Sequence, residues 1–131
     1  MTAAVIRWPR LWVGLGLFLC VNVFIASMVP LNALSAFNIW DKAEHAVVFA
    51  ALSVWFSALV PRRRYVWLAL ALLAFGVSIE VGQMLTVDRS PEIADVVADI
   101  VGISVGLVLA AAGARHWARW VESLTAAVLL R

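Results

Sequence analysis

Four stretches of about twenty mostly apolar residues, joined by short polar links, constrain this chain more than any other feature. They run from Leu11 to Val29, Ala43 to Val60, Tyr65 to Val87 and Ile93 to Ala114. At 1.5 Å of rise per residue, each is long enough as a helix to cross a hydrocarbon core of about 30 Å. Inside a bilayer the backbone must satisfy its own hydrogen bonds, so helix is the form open to runs of this kind. The links "VPLNALSAFNIWDK", "PRRR" and "DRSPE" carry Pro, Asn or charge and are too short for a soluble domain. The expectation is one all-α membrane domain over residues 1–131, a four-transmembrane-helix bundle. Composition agrees, with 65% apolar residues, 14% charged and a mean hydropathy of +1.00, where a soluble domain carries roughly 25% charge. The run after Arg10 is longer than a signal-peptide core and lacks a small-x-small site before Pro30, so it is expected to be retained. The lone Cys20, preceded by "LFL", reads as a small buried apolar residue.

Charge placement sets an orientation. Arg7 and Arg10 precede the first span, Arg62, Arg63 and Arg64 lie between the second and third, and Arg115, Arg119 and Arg131 follow the fourth. In a four-span chain these places share one side, which by the positive-inside bias is cytoplasmic, with both termini. The outer side receives Lys42 and Arg89 as its only cations, together with Asp41, Glu44, Glu80, Asp88, Glu92, Asp95 and Asp99. Trp8, Trp12, Tyr65, Trp67, Trp117 and Trp120 fall at the inner boundary and Trp40 at the outer, as an aromatic belt requires. The net charge of +2 therefore reflects topology, and nucleic acid is not an expected partner, since no basic face with interleaved aromatics is present. The tail from Arg115 to Leu130 is too short and too charged to span. Its Trp117, Trp120, Val121, Leu124 and Val128 recur at helical spacing, which predicts an amphipathic helix lying in the interface, with His116 an interfacial residue.

Polar residues at the outer ends of three spans mark a candidate site. The fourth opens with Asp95 and Asp99 on one helix face, and Gly102 and Gly106 continue that stripe. A small-xxx-small pair admits a close neighbour, so this face should turn into the bundle and carry Asp99 with it. In the third span Glu80 and Gln83 share a face with Gly76; Glu80 lies about 10 Å below the outer end if Val87 is the boundary. A carboxylate at that depth is disfavoured by about 2.5 to 3.5 kcal/mol unless paired, protonated or hydrated, which makes Glu80 a functional candidate. In the second, "WDKAEHAVVF" puts Asp41 and His45 at i, i+4 beside Lys42, with Phe49 a turn deeper.

These motifs, "DKAEH", "EVGQ" and "DRSPEIAD" running into "VVADIVGISVG", together resemble the VanZ-like family of small bacterial integral membrane proteins. The family's pattern runs Asp-Lys-x-x-His, Glu-x-x-Gln, Arg, Asp and a small-residue helix. The resemblance covers Trp40 to Gly106 and picks out Asp41, Lys42, His45, Glu80, Gln83, Arg89, Asp95, Gly102 and Gly106. Two positions depart from it: Asp99 stands where asparagine is usual, and Ala46 replaces an aromatic. The resemblance implies a multi-pass protein of the bacterial cytoplasmic membrane, associated with the cell envelope. The family takes its name from an accessory glycopeptide-resistance protein linked to teicoplanin, and no reaction follows from membership.

Three classes of function remain open on the residues. One is a site that binds or acts on an envelope lipid or lipid-linked precursor at the outer leaflet, with His45 as base oriented by Asp41, Glu80 as acid, and Lys42, Gln83, Arg89, Asp95 and Asp99 holding the substrate. The excess of acid would repel an anionic headgroup unless a divalent cation bridged Asp95, Asp99 and Glu80, joined by His45 for a zinc-like ion; no ligand spacing is diagnostic, and the metal and cofactor stay unassigned. A second is structural: the polar residues form a hydrogen-bonded network that sets helix register in a non-catalytic interaction protein. A third is a proton- or ion-coupled transporter, which four spans polar only in their outer halves serve poorly. No P-loop, dinucleotide fingerprint, nucleophile elbow or paired-cysteine zinc pattern is present. Ser53, Ser57, Ser78 and Ser104 read as packing residues.

Overall fold

The computed structural model describes residues 6–29, 38–86 and 92–129, with the backbone alone at 38–41 and 129. Five α-helices follow in order: α1 Pro9–Met28, α2 Asn38–Ser57, α3 Tyr65–Gln83, α4 Ile93–Ala112 and α5 Trp117–Leu129. Short 3-10 turns, Arg62–Arg64 and Ala114–His116, lead into α3 and α5. Local chemistry places several ends. Pro9 opens α1 at the position where its fixed φ fits and its missing N–H would have had no partner. Gly113 closes α4 at φ 132°, a conformation that a side chain would strain. Pro61 follows α2 and cannot extend it.

Among the described residues, three helical stretches are long and apolar enough to cross a membrane: Pro9–Met28, Arg62–Gln83 and Ile93–Ala112. Helix α2 has comparable length, but its first turns carry Lys42, Glu44 and His45 and keep it outside that set. Its bounds are Asn38 and Ser57 rather than Ala43 and Val60. Helix α3 also ends before the Val87 that hydropathy selects. The chain turns after Gln83, with the Leu85 N–H donating to Gly82 O, the Thr86 N–H donating to Gln83 O and the Thr86 hydroxyl bonding the same carbonyl. Apolar Met84 and Leu85 lie in that turn, so Glu80 stands within a turn of its helix end rather than about 10 Å beneath it.

Helices α2 and α4 form the central pair. Gly102 lies against the Ala46 backbone and Gly106 against Ala50 and Ser53, so two small-residue steps, one on each helix, run side by side. A Cβ on Gly102 would stand 2.9 Å from Ala46 Cα, leaving no room for a side chain there. Phe49, Leu52, Leu72, Ile79 and Ile103 fill the core where α3 joins this pair. Helix α1 is peripheral, its one buried residue being Gly16, seated against Trp55 and Phe56. Large apolar side chains face outward along α1 (Leu17, Phe18, Val21, Ile25), α3 (Val66, Trp67, Leu70) and α4 (Val97, Val101, Val105, Val108). Such a surface suits lipid and not water.

The end where α2 stops is held by aromatic rings. Trp12, Trp55 and Trp117 meet with centroids 4.4 to 5.9 Å apart, so two tryptophans expected in a lipid-facing belt contact each other as well. The Trp55 indole donates to Trp12 O at 3.0 Å and the Trp117 indole to Val54 O at 3.3 Å. Glu122 of α5 accepts the N–H groups of Arg7 and Trp8 and the Trp12 indole at 2.7, 3.0 and 2.9 Å. Desolvation pushes its carboxyl up, but the Arg7, Trp12 and Trp8 donors outweigh that and hold it below the usual carboxylate range. Trp120, Leu124 and Val128 form an exposed apolar stripe on α5.

Candidate functional site

The polar site lies at the opposite end, where α2 and α4 begin and α3 stops. Each side chain arrives by helix periodicity. On α4, Asp95 and Asp99 occupy the face that Gly102 and Gly106 press onto α2, and both aspartates are buried, Asp99 completely. On α3, Gly76, Glu80 and Gln83 lie on one buried face. On α2, Lys42, His45 and Phe49 follow each other at helical spacing.

One pairing joins α2 to α4. His45 Nδ1 lies 2.9 Å from Asp99 Oδ1. With Asp99 ionised the carboxylate can only accept, so the imidazole donates from Nδ1. Spacing within α2 points to Asp41 as the carboxylate orienting His45; the one bonded to Nδ1 is Asp99, from another helix. The Asp41 side chain lies outside the described residues, as does the whole of Arg89. The second Asp99 oxygen packs on Gly76, where a Cβ would collide with it. Glycine at 76 therefore makes room for the carboxylate at 99.

Lys42 reaches across to Glu92 at 2.7 Å and to Asp95 at 3.5 Å. Glu92 is the residue before α4, and its N–H donates to Glu80 Oε2 at 2.9 Å. The Glu80 carboxylate thus meets the positive end of the α4 dipole, which the early stop of α3 allows. Gln83, fully buried, donates from Nε2 to Ser27 O of α1 at 3.2 Å. Phe49 closes the site from below, its ring 5.9 Å from that of Phe75. Glu80 Oε1, Asp99 Oδ2 and Ser53 Oγ are buried oxygens with no hydrogen-bond partner among the described residues.

The arrangement gathers His45, Glu80, Asp95 and Asp99 at one end of the bundle, with Lys42 on the rim. One ligand-type atom from each of His45, Glu80 and Asp95 lies within 4.8 Å of the others. Chemically the cluster offers an imidazole of fixed orientation, a carboxylate with one oxygen unsatisfied, and an ammonium near the opening. It has the parts for proton transfer, for cation binding, or for holding helices together. Gln83 belongs to the α1–α3 contact and faces Ser27 rather than the His45–Asp99 pair. Glu92 is a member that periodicity does not flag; its signal was its place just before the helix in "SPEIAD".

A family model described as VanZ/LLP1 matches residues 10–114. No curated protein and no solved structure matches the chain.

Proposed function

The chain belongs to the VanZ/LLP1 family, and from that premise we propose that it is an envelope-associated protein of the bacterial cytoplasmic membrane whose acid–histidine site binds an envelope lipid or lipid-linked precursor at the outer leaflet. In this reading α2 is the fourth span, both termini are cytoplasmic, and α5 lies in the inner interface on its Trp120, Leu124 and Val128 stripe. A glycopeptide-resistance-type accessory role, the teicoplanin case giving the family its name, fits a protein that alters access to such a precursor. Whether a bond is broken is left open.

The observation that carries the reading is the burial of Glu80, Asp95 and Asp99 together, 6, 3 and 0% exposed, beside one histidine. A buried carboxylate is costly unless it is paired and hydrogen-bonded. Three at one end are a large expense for packing alone, and Lys42 on the rim offers a charge-assisted contact to a phosphate or carboxylate.

A second reading is favoured by the pattern of bonds. His45 to Asp99, Lys42 to Glu92, Glu80 to the Glu92 amide and Gln83 to Ser27 each join separate segments, as a register-setting network would. One experiment separates them. Wild type, His45→Ala and Glu80→Gln are purified in nanodiscs from native membrane, and retained lipids are identified by mass spectrometry alongside melting temperature. A lipid site predicts that both variants lose one envelope lipid or precursor while melting within a few degrees of wild type. Equal lipid complements with a lowered melting temperature would instead establish the network.

A further inference from the structure

We propose that His45, Glu80 and Asp95 bind a divalent first-row metal ion, of the Zn²⁺ or Mn²⁺ kind, between α2, α3 and α4.

Geometry comes first. Each of the three helices contributes one ligand, and the candidate atoms lie within 4.8 Å of one another. Ligands of a tetrahedral ion at zinc-type distances near 2.1 Å stand about 3.4 Å apart, so the three side chains close on an ion by drawing together by about an ångström. His45 is already set in the manner of a metal ligand. Its Nδ1 lies 2.9 Å from the fully buried Asp99 carboxylate, a contact that fixes the orientation of the ring. Carboxylate–histidine–metal relays have this form.

An independent observation points to a ligand. Glu80 is 6% exposed, one of its oxygens takes the Glu92 N–H, and the other has no partner among the described residues. A buried carboxylate oxygen left unsatisfied is costly, and this one belongs to a side chain inside the cluster. Charge balance agrees. Among the described residues, Glu80, Asp95 and Asp99 are buried at this end, and the ammonium of Lys42 lies 3.5 Å from Asp95 and 2.7 Å from Glu92. A cation at this position offsets the excess and turns a repulsive end into one able to accept an anionic group. The donor set of one imidazole and two carboxylates suits zinc or manganese better than calcium or magnesium, which take oxygen alone.

The proposal is independent of the lipid reading, because metal binding is read on the protein itself. Full-length, tag-free protein in detergent is stripped with chelator and titrated with Zn²⁺ by calorimetry and with Mn²⁺ by electron paramagnetic resonance. One equivalent per chain is expected, weakened at least a hundredfold in His45→Ala and Glu80→Gln and unchanged in Glu44→Gln, which changes an exposed acid on the same helix. A nitrogen hyperfine coupling on Mn²⁺ in the wild type is expected from His45. That second signal needs no variant, so a variant that fails to fold does not shelter the idea. Absence of stoichiometric binding, absence of the nitrogen coupling, or equal affinity in a folded Glu80→Gln protein overturns it. Metal binding without selective lipid retention would leave this site standing and remove the lipid function.

Discussion

Replacing Gly102 by alanine tests the central helix pair. A Cβ there would lie 2.9 Å from two Ala46 backbone atoms and closer still to the Ala46 carbonyl oxygen, against an ordinary contact of 3.4 Å or more. Backbone cannot rotate aside, and clearing the carbonyl oxygen requires α2 and α4 to part by about 1 Å, a gap that forfeits about half of the attraction of each touching pair along the seam. Overpacking of this kind costs about 1 to 3 kcal/mol. Alanine also favours helix over glycine by about 1 kcal/mol, which would mask part of the loss. Gly14→Ala supplies the correction, because nothing lies within 4 Å of a Cβ at Gly14. The propensity gain is common to both variants and cancels in their difference. Equilibrium unfolding in mixed micelles, followed by tryptophan fluorescence, should therefore place Gly102→Ala about 1 to 3 kcal/mol below Gly14→Ala. Ala46→Gly should not rescue it, since the obstructing atoms are backbone. A difference under about 0.5 kcal/mol, or full rescue by Ala46→Gly, would refute the close α2–α4 contact.

Asp99→Asn keeps an acceptor for His45 Nδ1 and should cost less than about 1 kcal/mol in the same assay, whereas Asp99→Ala strands a buried imidazole N–H and should cost about 1 to 3 kcal/mol; equal losses would remove the pairing. Glu122 has a folded-state pKa below its unfolded value, so its hold on α1 is present above the ordinary carboxylate pKa of about 4.3 and is lost as pH falls through the lowered folded value. Protection of the Arg7 and Trp8 amides, corrected for intrinsic exchange, should fall over that acid range in wild type and be low at all pH in Glu122→Ala; pH-independent protection would contradict the clamp. In a Cys20-free background, Ser90→Cys should react with an impermeant thiol reagent on intact cells and Arg63→Cys should not, and the reverse pattern would invert the orientation.

Much of the helical plan was legible because lipid imposes a simple rule, and α1, α3 and α4 follow it. The bounds that moved are those where hydropathy and helix geometry part company. Met84 and Leu85 are apolar, yet they sit in a turn where the Leu85 N–H takes the Gly82 carbonyl and Thr86 takes that of Gln83, and no transfer scale registers that stop. Helix α2 was harder for the opposite reason. Its first turn is charged, so hydropathy begins it at Ala43, while the backbone is already helical at Asn38. A belt argument considers only headgroups; that Trp12 and Trp117 would find Trp55, and Glu122 the start of α1, depends on how α5 folds back, which periodicity does not specify.

Within the site, single-helix periodicity names the side chains that share a face of each helix but not the contacts made between helices. Spacing rules pair residues on one helix, so they offered Asp41 to His45 and could not see Asp99, which reaches the imidazole from α4 because Gly102 lets α4 lie directly on Ala46. The same close approach explains why Gly76 is needed on α3: three helices converge on one carboxylate, and only a glycine leaves space for its second oxygen. Asp99 is also where this chain departs from the asparagine usual in the pattern it resembles. Asparagine there would still accept from Nδ1, but its amide would leave the imidazole without a full negative charge behind it. An aspartate makes the ring a stronger ligand or base at Nε2 and adds one more buried charge to be neutralised. The substitution therefore moves basicity and charge balance in the same direction, toward a site that gains from a cation.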